Sequence, residues 1–482
     1  MPIRTSFVTR TGLHILAAEQ AALSDRLAAA FTAAGEELYL VGGIVRDFLL
    51  GSELPADLDF ATSAEPARTR QLLESVQATS VYLVGERFGT VGAIFGDGDD
   101  RQSVEVTTYR RETYPDETRF PEVAFSATLE EDLSRRDFTM NAIAIDAATG
   151  EMVDPWDGEG DIAQAVIRAV GDPDARFQED PLRLLRAARF VSQLGFRIDW
   201  ATEQAMTRQA ASLERISRER ILAELTRLLL GDFVDHGLEV LRRTGLLRFA
   251  LPDLTPLIAE ADSDLTGRLG REKDLWDHTI RVVRQSPPRP AVRWAALLHD
   301  SAKPLTRGIG PNGEIHFFGH ERVGADLADR TLKRLNADKT LRSTVRTLVE
   351  LHGRPAAYDG SWTDSAVRRL ALDAADAWDD LLDLAAADVT SGRERKQLEA
   401  ARRVADLRKH YDALQAEASL AQLESPLDGH DLMRLFDLPP GPWIKHLKDH
   451  LRNLVIDGDL APDDRDAAVP IAREFMQRWQ PD

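Results

Sequence analysis

Periodicity changes character once along this chain, near residue 160, and that change limits the fold more than any other feature. Before it, apolar and β-branched runs alternate with helical stretches. EELYLVGGIVRDFLLG reads as a short buried strand, a glycine turn and a helix ending near Gly51. DLDFATS and SVEVTTYR read as strands, and TMNAIAID is a further apolar run. After about residue 160 only helical spacing remains, as in LRLLRAARFVSQLG and RERILAELTRLLLG, both closed by glycine. The expectation is an α+β chain, with an N-terminal region of strands and helices followed by all-α regions. Clusters of Pro, Gly and Asp at GDPDARFQEDP, LPDLTP and ESPLDGHD mark the joints. The domains expected are a catalytic region over 1–160, a helical region over 161–255, a second helical domain over 256–400 and a helical tail over 401–482.

Composition narrows the classes. With 482 residues, 43% of them hydrophobic, there is material for several cores. No long uncharged apolar run offers a membrane span, and MPIRTSFVTRTGLH lacks the apolar stretch of a secretory signal. The absence of cysteine excludes disulfides, thiol catalysis and thiolate-bound zinc. The expectation is a cytoplasmic protein. A net charge of −20 argues against a surface coated for nucleic acid. The stretch from Arg176 to Arg227 differs: ten Arg and no Lys stand against seven Asp plus Glu, a local balance of +3. If RNA binds, that stretch is one place for it.

Chemistry first shows in PADLDFAT. On a strand, Asp57 and Asp59 share a face while Leu58 points the other way. Two like charges side by side are unfavourable unless a cation sits between them, and such oxygen ligands suit Mg²⁺. Glu105 in SVEVTTYR is a candidate third carboxylate on a neighbouring strand. Three carboxylates on a sheet edge are what two-metal phosphoryl transfer requires. Upstream, Gly42 and Gly43 let the backbone approach a ligand, and the helix behind them, carrying Arg46, favours phosphate.

LYLVGGIVRDFLLG, DLDFAT and VEVTTYR, taken in order, resemble the head domain of the class II tRNA nucleotidyltransferase and bacterial poly(A) polymerase family. RRDFTMNAIAID resembles that family's ribose and triphosphate motif. VDPWDGEGDI resembles its hinge motif, with Asp154, Gly158 and Asp161 at matching positions. EDPLRLLRAARF resembles its base-reading motif, and ERILAEL the last motif of its neck. The resemblance covers about residues 38 to 230. It implies a five-stranded mixed sheet followed by helical neck, body and tail. It implies Asp57 and Asp59 as metal ligands with Glu105 beside them. It implies Gly42, Gly43, Arg46, Arg136, Asp137 and Asn141 around the triphosphate, and Asp180, Arg183, Arg186 and Arg189 at the nucleotide. The activity it implies is template-independent addition of CCA to the 3′ end of tRNA from CTP and ATP with Mg²⁺.

The base-reading motif also stands on chemistry. Asp180, Arg183 and Arg186 are three apart, which places them on one arc of a helix. Cytosine and adenine both present an exocyclic amine beside a ring-nitrogen acceptor; uracil and guanine present the reverse. A carboxylate acceptor next to a guanidinium donor therefore accepts C and A and leaves U or G with unpaired polar groups. Asp180 before Pro181 is equally a good helix cap. YRRETYPDETRFPEVAF resembles the flexible loop of enzymes that add the terminal A, although Arg119 is followed by Phe120 where a basic pair is usual. VGERFGTVGAIF resembles the tRNA-end builders more than the poly(A) polymerases. A poly(A) polymerase or A-only tRNA nucleotidyltransferase is the alternative.

Five of the eleven histidines fall between His278 and His352. His278, the adjacent His299 and Asp300 in AALLHDSAKP, and Asp388 resemble the ligand set of an HD domain, a helical metal-dependent phosphohydrolase fold. Imidazole plus carboxylate suits a transition metal better than Mg²⁺. His316 and His320 in HFFGHERVGA could add ligands. Ser301-Ala302-Lys303 departs from the usual bulky residue and glycine before lysine. A reading of another class follows: an HD phosphohydrolase whose head only binds RNA.

Overall fold

The computed structural model describes residues 18–52, 57–84, 89–98, 101–113, 122–125, 128–258, 275–312, 315–389, 394–417 and 424–478. The chain divides into two compact units, Met1–Pro252 and Asp253–Asp482.

The first unit opens with helix α1 (Ala18–Ala33), strand β1 (Leu38–Val41), helix α2 (Gly43–Leu50), strand β2 (Asp57–Thr62) and helix α3 (Pro66–Ser75). Strands β3 (Ser80–Val84), β4 (Thr90–Phe95) and β5 (Gln102–Thr108) follow, then the short pair β6 (Arg110–Thr113) and β7 (Glu122–Phe125). Helix α4 (Leu129–Ser134), strand β8 (Ala144–Asp146) and strand β9 (Met152–Val153) complete the head. The sheet runs β3-β4-β5-β2-β1-β8-β9. Only β2 and β5 pair in parallel; the other neighbours are antiparallel. The mixed sheet was expected, but it has seven strands rather than five, with β3 and the two-residue β9 at its outer edges.

Alternation within β2 and β5 sets the working face. Leu58, Phe60, Val104 and Val106 are buried on one side, leaving Asp57, Asp59 and Glu105 on the other. The HPHP pattern that fixes the strand thus also delivers the acids together. Strands β6 and β7 form an antiparallel hairpin from Arg110↔Phe125 to Thr113↔Glu122. The segment read as a flexible loop is therefore strand-paired at both ends; residues 114–121 lie outside the described residues.

The helical part of this unit begins with α5 (Gly158–Ala163), whose first turn is held by Asp154: its Oδ1 accepts from the Gly158 amide at 2.8 Å and its Oδ2 from the Glu159 amide at 2.9 Å. Asp161 accepts from Thr139 Oγ1 at 2.7 Å and pairs with Arg168 at 3.0 Å. A Cβ at Gly158 would stand 2.3 Å from the Thr139 carbonyl oxygen, so only glycine fits. The hinge motif is a joint made of caps and close contact. Beyond it come α6 (Pro173–Glu179), α7 (Leu182–Leu194), α8 (Trp200–Gln209), α9 (Arg218–Leu229) and α10 (Val234–Arg243). Helix α7 packs on both α9 and α10.

In the second unit, α11 (Leu275–Gln285) and α12 (Pro290–Leu298) lead to a small hairpin, β10 (Gly308–Ile309) with β11 (Ile315–His316). Then follow α13 (His320–Arg334), α14 (Lys339–Leu351), α15 (Asp364–Ala374), α16 (Trp378–Ala387) and α17 (Glu394–Glu417). The last helices, α18 (Gly429–Phe436), α19 (Pro442–Asp457) and α20 (Arg465–Arg478), build their own small core around Leu432, Trp443, Leu447 and Leu451.

Candidate functional site

Asp59 lies directly beside Glu105 in the parallel register of β2 and β5, with Asp57 two residues along on the same face. Neighbouring strands are separated by about 4.8 Å, so the carboxylates share one patch. Burial pushes the Asp59 carboxyl up to about 6; Glu105 and Asp57 push the same way, and Arg136 opposes them. A carboxyl raised by burial beside two further carboxylates gains from a cation. Divalent, oxygen-loving ions fit this donor set.

The residues expected around the triphosphate form one connected network. Gly42 precedes α2 with φ 78°, a backbone state that only glycine adopts cheaply, and a Cβ there would stand 3.2 Å from Arg136 Nη1. Arg46 is held against Asp47 through Nε and Nη2, at 2.9 and 2.7 Å, and donates from Nη1 to Asn141 Oδ1 at 2.9 Å. Asn141 donates in turn to Asp137 Oδ1 at 3.0 Å, and Asp137 Oδ2 receives Arg186 at 2.6–2.7 Å. Burial alone would raise the Asp137 carboxyl, but Arg186 and the hydrogen bonds from Asn141 and Arg186 outweigh it and bring it to about 2. The Arg46 and Arg186 guanidinium groups lie 5.2 and 5.5 Å from the centroid of the Phe190 ring. The glycine turn, the triphosphate motif and the helix expected to read bases are thus mechanically coupled.

Asp180 and Arg183 are placed differently from one helical arc. Asp180 is extended and stands outside α7; its Oδ1 caps the Leu182 amide at 3.1 Å and its Oδ2 receives Arg220 at 2.9 Å. Arg183 is buried and donates to the Arg176 carbonyl (2.9 Å), Glu179 Oε2 (2.8 Å) and the Arg135 carbonyl (2.7 Å). In this state both brace the start of α7. Arg189 lies 4.2 Å from the centroid of the same Phe190 ring and forms a buried ion pair with Glu224 of α9 at 2.8 Å.

In the second unit five helix ends or faces converge. His278 projects from the buried face of α11, His299 and Asp300 follow α12, His320 opens α13, His352 closes α14 and Asp388 closes α16. His278 Nε2 is 3.1 Å from Asp300 Oδ2, 3.2 Å from Asp388 Oδ1 and 3.2 Å from His299 Nε2. All four residues named from the sequence are therefore brought together. Burial would lower the His299 imidazole, but Asp300 and Asp388 push it up to about 10 instead; both carboxyls are held far below their usual range, with their histidine partners overcoming burial. His320 joins the centre, 3.4 Å from Asp300 Oδ1; His316 does not, and stacks on Phe318 at 4.3 Å. His352 also joins, with its ligand atom in groups containing Asp300 and His320 or His299 and Asp388. It escaped sequence reasoning; its signal was the C-terminal position on an amphipathic helix, the same placement as His299.

The poly A polymerase head domain family matches residues 38–168, the probable RNA and SrmB- binding site of polymerase A matches 195–258, and the HD domain matches 265–393. The fold and the carboxylate patch thus define a nucleotidyltransferase with a poly(A) polymerase-type head and an HD domain. A CCA-adding enzyme of Geobacillus sp. (strain WCH70) is 32% identical over 431 residues, covering 88% of this chain and 90% of that protein. One from Lactiplantibacillus plantarum is 45% identical over 218 residues, 45% of this chain and 51% of that protein. The chain belongs to the CCA-adding enzyme family. The crystal structure of the Bacillus stearothermophilus CCA-adding enzyme in complex with CTP superposes with a TM-score of 0.68 at 26% identity, over 96% of this chain and 98% of that one.

Proposed function

We propose that this chain adds CCA to the 3′ end of tRNA from CTP and ATP, reading each base with protein side chains rather than a template. The reading rests above all on Asp59 and Glu105 lying side by side with Asp57 on an accessible face of the sheet. Among the described residues no helix is long and apolar enough to cross a membrane. A cytoplasmic place of action goes with the reading.

Asp57 and Asp59, with Glu105 beside them, hold Mg²⁺ in this assignment. Mg²⁺ bound there supplies charge neutralisation at the triphosphate and acidifies the attacking hydroxyl. The 3′-hydroxyl oxygen of the tRNA attacks the α-phosphorus, the bond to the β-phosphate oxygen breaks, and pyrophosphate leaves. Gly42 and Gly43 keep the backbone open to the triphosphate, and Arg46 and Arg136 flank it. Asn141 and Asp137 hold Arg46 and Arg186 at fixed distance, so the phosphates and the base are positioned by one framework. Asp180 and Arg183 offer the acceptor and donor that cytosine and adenine need; to do so they exchange their present partners, Arg220 and Glu179, for the base edge.

The test incubates the protein with tRNA lacking CCA, tRNA ending in CC, and an unrelated RNA, with each labelled nucleotide in turn. Two C and one A added to the first substrate is the expected result. Extension of unrelated RNA with ATP alone indicates a poly(A) polymerase, and addition of A only to tRNA ending in CC an A-only enzyme. The relatives do not favour either, nor a phosphohydrolase with a passive head.

A second assignment concerns the HD region. His278, His299, Asp300 and Asp388 hold a transition-metal dication, which their nitrogen and oxygen donors suit. Elemental analysis of chelator-free protein against His299→Ala tests it.

A further inference from the structure

Helix α4 is short, yet its place is fixed from both ends. Thr128 and Glu131 cap each other: the Glu131 amide donates to Thr128 Oγ1 at 3.3 Å, and the Thr128 amide donates to Glu131 Oε2 at 3.2 Å. Leu129 and Leu133 are buried in one cluster with Val41, Ala61, Ala142 and Ala144. On the same helix Asp132 is only 1% exposed. A carboxylate buried there is costly unless it is paired. Spacing supplies the partners, because residues three and four further along a helical path lie beside it. Asp132 Oδ1 accepts from Arg135 Nε at 3.0 Å and from Arg135 Nη2 at 2.6 Å, and Oδ2 accepts from Arg136 Nη2 at 3.2 Å. Burial alone would raise the Asp132 carboxyl, but Arg135 and Arg136 outweigh it and hold it below the usual range.

The two arginines are used differently. Arg135 closes on Oδ1 with two nitrogens, and its backbone carbonyl receives Arg183 at 2.7 Å. Arg136 keeps donors in reserve. Its Nη1 reaches the Asn141 carbonyl oxygen at 3.4 Å, and its Nε is buried without a hydrogen-bond partner among the described residues. A Cβ at Gly42 would stand 3.2 Å from Nη1, so the guanidinium rests against the glycine turn. Its charge also opposes the upward push on the Asp59 carboxyl and is therefore felt at the carboxylate patch. A guanidinium between the glycine turn and that patch, with donors unspent, is set to meet phosphate oxygens.

We propose that Asp132 is a positioning residue for nucleotidyl transfer: it touches no substrate, and it holds the Arg136 guanidinium toward the triphosphate of the incoming nucleotide. The proposal rests on the assignment of Arg136 to the triphosphate and deepens it. Without the carboxylate, the Arg136 side chain regains its rotamers and is repelled by Arg135. The triphosphate is common to CTP and ATP, so binding of both depends on Asp132 to the same degree.

Affinities of the full chain for CTP, ATP and inorganic tripolyphosphate are measured by titration calorimetry without tRNA. Wild type, Asp132→Asn, Arg136→Ala and the double variant are compared at a temperature where circular dichroism shows each to be folded. Asp132→Asn is expected to weaken all three ligands by one common factor of about tenfold, the loss of a charge-assisted contact. The double variant is expected to bind no more weakly than Arg136→Ala, because Asp132 then has nothing left to orient. Losses that multiply in the double variant, or a loss confined to one base, overturn the proposal. Wild-type affinity in Asp132→Asn beside weakened binding in Arg136→Ala overturns it and leaves Arg136 at the triphosphate. Unchanged affinity in Arg136→Ala overturns both. If Asp132→Asn does not fold, Asp132→Glu takes its place: the charge stays and the carboxylate moves by one methylene, so weaker binding of all three ligands is still expected and unchanged binding overturns the proposal. CCA addition by the wild type is read in parallel; its absence overturns the functional reading, whereas its presence with any of the contrary affinity patterns overturns only the role of Asp132 or Arg136.

Discussion

The two candidate metal-binding regions of this chain solve opposite problems. In the head, three carboxylates share an accessible strand face, and burial, with Glu105 and Asp57 beside it, pushes Asp59 up to about 6. In the second unit, histidines and two aspartates are packed so tightly that the carboxyls are held far below their usual range and His299 is pushed up to about 10. The first arrangement leaves room for a substrate's phosphates to complete an oxygen shell, as Mg²⁺ needs. The second supplies nitrogen ligands with locked tautomers and gives an ion most of its shell from protein. An exchangeable, substrate-sharing metal suits the first, and a resident one the second.

Asp59→Ala divides the regions most sharply. In the proposed assignment Asp59 is a metal ligand, and removing it forfeits several kcal/mol of charge stabilisation, each ~1.4 kcal/mol being tenfold. Nucleotide addition to tRNA should fall by about a thousandfold or more, while tRNA affinity and the transition-metal content persist. Single-turnover addition with Mg²⁺, filter binding and elemental analysis read the three quantities. Transfer above a few per cent of wild type removes Asp59 from the metal site.

His299→Ala is the converse. His299 is fully buried at the centre of the His/Asp cluster. The variant should lose the resident metal and keep CCA addition within about twofold, because no residue assigned to transfer lies in that cluster. Equal metal content in variant and wild type defeats the HD assignment; a large loss of addition in a folded variant defeats the separation of the two regions.

Which parts were legible beforehand follows the same divide. Asp57, Asp59 and Glu105 could be read because period-2 alternation fixes which side chains share a face, and parallel pairing of β2 with β5 then brings Glu105 alongside. His278, His299, Asp300 and Asp388 were named through their resemblance to the ligand set of an HD domain, and the fold brings them together. His352 carried only a weak local signal, its place at the end of an amphipathic helix, and its role depends on where α14 ends in space. Asp180 was misplaced by helical arithmetic: Pro181 caps α7, so the count of three begins one residue too early. Nor did sequence reveal that Arg46, Asn141, Asp137 and Arg186 form one chain of hydrogen bonds, because its links span residues 46 to 186.

That chain gives the third prediction. Asp137→Asn keeps the shape but removes the charge that holds Arg186. Hydrogen bonds to charged groups are worth about 1.5–3 kcal/mol each, so loss of charge assistance to the paired Arg186 contacts should lower kcat/KM roughly a hundredfold. The loss should appear in KM for CTP and ATP as well as in kcat, since the residue positions others. The Mg²⁺ dependence should not move. A changed Mg²⁺ requirement instead places Asp137 with the metal-binding carboxylates.

Among the first unit's residues the smallest effect is expected at Arg183, and it is the most diagnostic of how bases are chosen. The guanidinium already serves Arg176, Glu179 and Arg135. A base edge therefore replaces existing partners rather than solvent, and the net gain from reading it lies at the lower end of the range for charged hydrogen bonds, about 1.5 kcal/mol. That corresponds to roughly tenfold in discrimination. Arg183→Ala should thus incorporate UTP or GTP about tenfold more efficiently relative to CTP on tRNA lacking CCA. Its absolute rate should also fall, because the start of α7 loses its brace. The measurement is kcat/KM for all four nucleotides, with the melting temperature recorded alongside. Structural bracing alone lowers all four rates together with the melting temperature and leaves their ratios unchanged. Base reading changes the ratios, and that change should remain when the four nucleotides are compared at a lower temperature at which the variant is fully folded.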